Sequence, residues 1–453
     1  MMKTYFFVAF LLCSEMMRSQ SNPVITSWLL NTDGAKGRHY VQGNSTPIQD
    51  NDSVNCQSVF YSNQWAYVKT KGIPAYVTGP FLDGNPSLAT NQNAIFKFPL
   101  NPTANPGNPT PTNGGNIGVF INGVALFDYR DGVSWNNMSQ AEGGGPIPGP
   151  PGQGVWNRDA IVAERVGFDC AKGHPAMGNY HHHQNPSAFD LDLQVISTVC
   201  NLYDADGLYV MDSTTHSPLL GFAYDGFPIY GAYGYANVNG TGAITRMKSS
   251  YQLRDITLRT HYADGTDVAD GPPVSNSYPL GRYREDYEFV AHPNQLDFLD
   301  EHNGRFCVTP EYPDGIYAYF CTVDQNWNAA YPYAVGPTFY GIKVAAKVNV
   351  ISEAVTEYNG QNATHILNGS ANWEVLVFPN PSNDYVAVQF HGLLKDNAII
   401  TLLDISGKKI QERQLSKGST IAYLDVRSLY NGEYFLNFEL GNQRFTRSLV
   451  IQH

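Results

Sequence analysis

Charged side chains are scarce in this sequence. Asp, Glu, Lys and Arg make 15% of its 453 residues, well under the quarter usual in soluble domains. The balance is acidic, 28 basic against 40 acidic residues and a formal charge of −12, and no Lys/Arg run occurs. That removes the electrostatic basis for holding a phosphate backbone, so nucleic acid is excluded as a partner. None of the six cysteines forms a CxxC pair, which excludes a zinc ribbon or a thioredoxin-like site. Also missing are the GxSxG of a nucleophile elbow, the HExxH of the commonest zinc peptidases, the GxxxxGK phosphate loop and a dinucleotide fingerprint. No stretch approaches the ~20 apolar residues of a transmembrane helix. Helical periodicity is rare, and Asp159–Val166 is its best short example.

What is present points to β structure. The chain is 42% hydrophobic and 13% aromatic, with 29 Tyr, 42 Gly and 28 Pro, enough for a sizeable core and against global disorder. Short runs rich in Val, Ile, Tyr and Phe, such as Ser58–Val68, Ala94–Leu100 and Gly315–Val323, are separated by Asn-Gly, Asp-Gly and Pro-Asp-Gly turns. Two low-complexity segments, Asn101–Asn116 and Gly143–Gly154, read as surface loops. Gly118–Phe127 (GVFINGVALF) and Gly221–Tyr230 (GFAYDGFPIY) share one pattern, as two related hairpins packed side by side in one core would. The fold expected is mainly β: a large, loop-rich antiparallel domain, sandwich- or barrel-like, over 22–345, and a small C-terminal β-sandwich over 373–453. The polar, Asn-rich 346–372 reads as the linker, and residues 1–21 as a cleaved signal peptide. Its apolar run, Tyr5–Cys13, is too short to span a bilayer.

Past the signal, five cysteines remain, so two disulfides and one spare thiol are expected in an oxidising compartment. Cys170 with Cys200 brackets a histidine cluster. Cys307 with Cys321 flanks a Pro-Asp-Gly turn. Cys56 is the alternative partner for either pair.

Five of the twelve histidines fall between 174 and 216. With 179–183 extended, His181 and His183 share one face and His182 faces the other. Two imidazoles so spaced can share a metal ion. His174 and His216, at Gly/Pro-bounded turns, are the candidate further ligands. Imidazoles suit a divalent ion such as zinc or copper. Calcium is the less favoured reading of two Asp-rich loops, Asp204/Asp206 and Asp264/Asp267/Asp270, which miss the EF-hand register. Asp300 and His302 are candidates for acid/base work. Trp65, Trp135, Trp156 and Trp327 could stack on sugar rings of an extracellular polysaccharide or pack in the core.

Two resemblances add to this. The final unit, with Pro379-Asn380-Pro381, Asp404-Ile405-Ser406-Gly407-Lys408 and Asn431-Gly432-Glu433-Tyr434 in order, resembles the C-terminal sorting domain of the type IX secretion system of Bacteroidetes. That implies secretion machinery as a partner and a secreted or cell-surface location. The segment Asp169-Cys170-Ala171-Lys172-Gly173-His174…Tyr180-His181-His182-His183 resembles the YHYH family, together with Ser217–Gly231 and Asp300–Phe306. Here His182 replaces the second Tyr of the name-giving motif. That family brings no established reaction. The reading is therefore a secreted or surface protein with a histidine metal site; a metal-independent polysaccharide-binding protein or a surface adhesin is the alternative.

A polar linker ahead of a self-contained sandwich gives a testable expectation. Deleting 373–453 should leave the upstream domain folded but stranded in the cell envelope, as measured by surface labelling and circular dichroism. Equal surface display with and without the segment would contradict it.

Overall fold

The computed structural model describes residues 22–453 apart from 33, 84–86, 146, 148–149, 187–210, 345, 359–374, 379, 391–393, 395, 406, 420 and 442. The signal segment, Cys200 and the Asp204/Asp206 loop therefore lie outside the described residues.

The large domain is a sandwich, and the described residues form no closed barrel. One layer is an antiparallel five-stranded sheet in the order Ala346–Val348, Ala94–Pro99, Trp65–Thr70, Cys56–Tyr61, Thr356–Glu357. Its strands follow the two-residue period of a half-buried sheet: Ala94, Phe96 and Phe98 are buried, while Ile95 and Lys97 are less so. The second layer has eight strands, numbered here along the chain: β1 (Asn116–Phe120), β2 (Ala125–Phe127), β3 (Gly173–Ala176), β4 (Asn179–His182), β5 (Leu219–Ala223), β6 (Pro228–Tyr230), β7 (Gly304–Thr309) and β8 (Tyr312–Phe320). Trp28 fills the interface, its ring 5.4 Å from both Phe98 and Phe222. Burying each such ring is worth roughly 1.5–3 kcal/mol.

The order β3-β4-β2-β1-β5-β6-β8-β7 reads the same from both ends once the second half is renumbered. The resemblance between the two hairpins is thus one part of a duplicated four-strand unit. β1 pairs antiparallel with β5 about Val119 and Phe222. β2 runs parallel to β4, as β6 does to β8. The Asn122-Gly123 and Asp225-Gly226 turns match, their glycines at φ 80 and 90, the region open to glycine at no steric cost. Their side chains match too: Asn122 Oδ1 accepts from Val124 N at 3.1 Å and Asp225 Oδ1 from Phe227 N at 3.2 Å.

The turns entering β3 and β7 are alike atom for atom. Asp169 Oδ1 accepts from Ala171 N at 3.0 Å and Gly173 N at 3.1 Å. Asp300 Oδ1 accepts from His302 N and Gly304 N at the same two distances. Tyr180 of β4 donates to Asp169 at 2.9 Å, and Tyr317 of β8 to Asp300 at 2.8 Å. Each ring lies over a glycine. A Cβ on Gly173 would sit 2.3 Å from the Tyr180 hydroxyl, and one on Gly304 2.4 Å from that of Tyr317.

Three expectations are corrected. The linker does not begin at 346, because 346–348 and 356–357 add strands to the five-stranded sheet. Cys307 and Cys321 are free, buried thiols. β7 turns into β8 at Pro310-Glu311, so Cys307 faces Ile316 and Gly304 faces Tyr319. Cys321 is then about five residues out of register with Cys307, on the order of 17 Å along the strand, where a bridge needs Cα atoms within ~7 Å. Cys56 is likewise a free thiol. Cys170 is buried, but its expected partner lies outside the described residues. The helix expected at Asp159–Val166 is present as Ala160–Glu164, capped by Asp159 and followed by one 3₁₀ turn.

The C-terminal unit is a second sandwich. A three-stranded sheet (Val375–Phe378, Tyr385–Phe390, Ile421–Asp425) faces a four-stranded one (Ala398–Leu403, Lys409–Leu415, Gly432–Leu440, Gln443–Ile451). Its core, including Val386, Val388, Ile400, Leu402, Leu424, Leu436 and Phe438, is separate from that of the large domain.

The two glycine–tyrosine contacts can be tested together. Gly173→Ala and Gly304→Ala should each cost about 1–3 kcal/mol by overpacking, measured by denaturant unfolding. Gly114→Ala, where nothing lies within 4 Å, should be neutral. Equal stability of all three variants would contradict the duplicated brace.

Candidate metal centre

The brace at Asp169 sets the positions of two histidines. His174 follows Gly173 and His181 follows Tyr180, and the β3–β4 register places the two opposite each other. Tyr180 and His182 point into the sandwich. There His182 Nε2 lies 2.6 Å from the Tyr76 hydroxyl, and Phe120 stands edge-on to its ring. His181 and His183 emerge on the outer face, under the 128–168 connection that covers it. Phe127 stacks on His181 at 3.7 Å and Phe168 meets His174 edge-on at 4.9 Å. One ligand atom from each of His174, His181 and His183 falls within 4.8 Å of the others, all three residues being buried.

The hydrogen bonds decide which nitrogens face inward. His181 Nδ1 donates to the Asn179 carbonyl at 2.8 Å and His183 Nδ1 to the Asp128 carbonyl at 2.6 Å. A carbonyl only accepts, so both Nδ1 atoms carry hydrogen and both Nε2 atoms carry the lone pair in neutral rings. Those two Nε2 atoms stand 3.1 Å apart. Neither nitrogen of His174 makes a hydrogen bond. The arrangement turns the lone pairs of buried imidazoles toward one another.

A fourth group reaches that point. Glu164 Oε2, at the end of the short helix, is 3.2 Å from His174 Nε2 and 3.2 Å from His183 Nε2. The sequence carries no signal for it, because the acid lies outside the histidine motif and on a different element.

The electrostatics follow. Burial drives the His181 imidazole well below its usual pKa, and charge on His183 or His174 would drive it further. For His183 burial also opposes protonation, but the Glu164 carboxylate outweighs it and the pKa rises. Burial pushes Glu164 up, yet the His174 and His183 imidazoles more than reverse that and hold it well below the ordinary carboxylate range. His182 is pushed down to about 3 by burial. The cluster is thus built to be bridged by positive charge, whether a proton or a cation.

The other candidates lie elsewhere. His216, expected as a ligand, packs against Tyr230, Tyr235 and Phe320 at the β6–β8 end of the sheet, in the opposite half. Asp300 is the counterpart of Asp169, occupied by turn amides and Tyr317, and His302 Nδ1 contacts Thr338 Oγ1 at 2.7 Å; both serve the turn. In the second unit, Arg305, Ala318 and Phe320 stand where His174, His181 and His183 stand in the first. Of the tryptophans, Trp135 and Trp156 are buried. Lys97 covers the Trp65 ring at 3.9 Å, and Trp327 Nε1 donates to the Tyr233 hydroxyl at 2.8 Å. Asp264 accepts from Thr266 N at 2.9 Å in an exposed turn.

Fold and site together define a β-sandwich whose eight-stranded layer is a duplicated four-strand unit with a buried three-histidine cluster in one half, followed by a separate small sandwich. The chain belongs to the YHYH protein family, whose pattern matches residues 95–331, more than half its length. Residues 376–452 match the secretion system C-terminal sorting domain, so the protein is exported by the type IX route to the cell surface or beyond. Among the described residues no helix is long and apolar enough to cross a membrane. No curated protein matches the sequence. Among solved structures it is similar to a duf3244 family protein with an immunoglobulin-like β-sandwich fold from Bacteroides vulgatus. The two are 13% identical with a TM-score of 0.16, covering 18% of this chain and 93% of that one.

The inward partner of His182 provides the test of this geometry. Tyr76→Phe leaves a buried imidazole nitrogen without its partner and should cost about 1–3 kcal/mol, read by denaturant unfolding. No loss of stability would place His182 elsewhere.

Proposed function

We propose that this is an exported, surface-associated metalloprotein in which His174, His181 and His183 bind one divalent transition ion, zinc or copper. The observation that carries the reading is His174. A proton on His183 Nε2 can satisfy His181 or Glu164, but among the described residues it leaves His174 Nδ1 buried without a partner and His174 Nε2 with only its 3.2 Å contact to Glu164, which costs free energy unless something else is ligated there. The tautomers of His181 and His183 support the same reading, since a metal-bound imidazole commonly donates its other N–H to a carbonyl or carboxylate. Zinc or copper suits imidazole donors. Bound there, the ion would hold the three imidazoles together, and it would act as a Lewis acid or activate water only at a coordination position the protein leaves open. The residues around it would exclude bulk water and fix the donors.

Elemental analysis of the purified protein should find one zinc or copper per chain. His174→Ala, His181→Ala and His183→Ala should each lose it, and His182→Ala should retain it. A wild type that takes up neither metal stoichiometrically, or a His182→Ala variant as depleted as its neighbours, would contradict the proposal.

A further inference from the structure

We infer that Glu164 is the fourth ligand, making a three-histidine, one-carboxylate centre that stays closed to outside ligands while Glu164 is in place. This deepens the metal reading above and rests on it. The argument is geometric. Around an ion with ligands at 2.0–2.1 Å, the edge of a tetrahedron is ~3.3 Å. The contacts His181 Nε2–His183 Nε2, Glu164–His174 and Glu164–His183 measure 3.1, 3.2 and 3.2 Å, close to three edges of such a figure, while the three histidine ligand atoms spread over as much as 4.8 Å, a spacing an ion would draw in. Glu164 Oε2 is buried and makes no hydrogen bond of its own, although it is within ion-pair distance of two imidazoles.

Its position is set independently of the histidines. Asp159 Oδ1 caps the helix at Ile161 N, 2.8 Å, while its Oδ2 accepts from Tyr333 at 2.7 Å, and Ala160 N donates to the Tyr129 carbonyl at 2.7 Å. An acid at the C-terminal end of a helix gains nothing from the helix dipole, so the carboxylate answers to the histidines and not to the helix. It is also the ligand nearest solvent: its side chain is 20% exposed, against 8% for His174 and 2% for His183. A small anion or an oxygen donor reaching the ion must therefore take the place of Glu164.

The test uses the full chain loaded with cobalt(II), with azide as probe and circular dichroism as the check on folding. Wild type should show a four-coordinate visible spectrum that azide does not change. Glu164→Ala should bind cobalt at least ~10-fold more weakly, the low end of what losing even an outer-sphere partner costs, and its spectrum should shift saturably with azide. A Glu164→Ala variant that binds cobalt as tightly as wild type, or a wild type that takes azide as readily as the variant, overturns the inference. His181→Ala separates the two readings. If it loses cobalt while Glu164→Ala behaves as wild type, only the fourth ligand is wrong. If it keeps cobalt, the metal reading fails and the inference with it.

Discussion

The Asp169 carboxylate is fully buried and bonded on all sides. It takes Gly79 N at 2.9 Å, the amides of Ala171 and Gly173, and the Tyr180 hydroxyl. Those four donors come from three separate parts of the chain, so one side chain fixes the turn into β3, the middle of β4 and the segment beside them. The two histidines facing each other across β3 and β4 are each one residue beyond a group that Asp169 holds. Loss of the brace would free both at once, because a buried carboxylate without its donors is costly and the turn would have to rearrange. The site's precision is borrowed from this structural interaction and needs little from the ligands themselves.

Duplication shows which part of the arrangement is scaffold. Asp300, Gly304 and Tyr317 repeat the brace with nearly the same distances, yet the following positions carry Arg305, Ala318 and Phe320. A brace without the three-histidine cluster still folds its half of the sheet, so the brace is a requirement of the fold. The histidines are an addition to one copy. Burying three imidazoles and a carboxylate together is unfavourable unless charge is balanced; the second half instead buries one cation, Arg305, against the Phe320 ring, its guanidinium donating to the Leu296 and Tyr235 carbonyls.

Much of this was legible in the sequence where the relevant physics is local. Period-two alternation separated His181 and His183 from His182, and the structure keeps that separation. The Asn-Gly and Asp-Gly turns exposed the paired hairpins, though not that β3–β4 and β7–β8 complete the repeat, since Tyr180/Tyr317 and Gly173/Gly304 lie far apart in a chain with long insertions. His216 was misplaced because strand order is a long-range property: its strand neighbours belong to the other half of the sheet. Cys307 and Cys321 are symmetric about Asp314, which made Pro313-Asp314-Gly315 look like the hairpin turn. The chain reverses instead at Pro310-Glu311, shifting the register by several residues. Glu164 gave no warning, because an acid on a short helix is ordinary until tertiary packing brings it to the histidines.

The central claim is that four side chains converge on one ion, and X-ray absorption at the edge of the bound metal tests it most directly. The account expects a low-coordinate first shell of nitrogen and oxygen at ~2.0–2.1 Å, with the outer scattering of three imidazoles. A first shell containing sulfur, a six-coordinate shell dominated by water, or fewer than three imidazoles would contradict it.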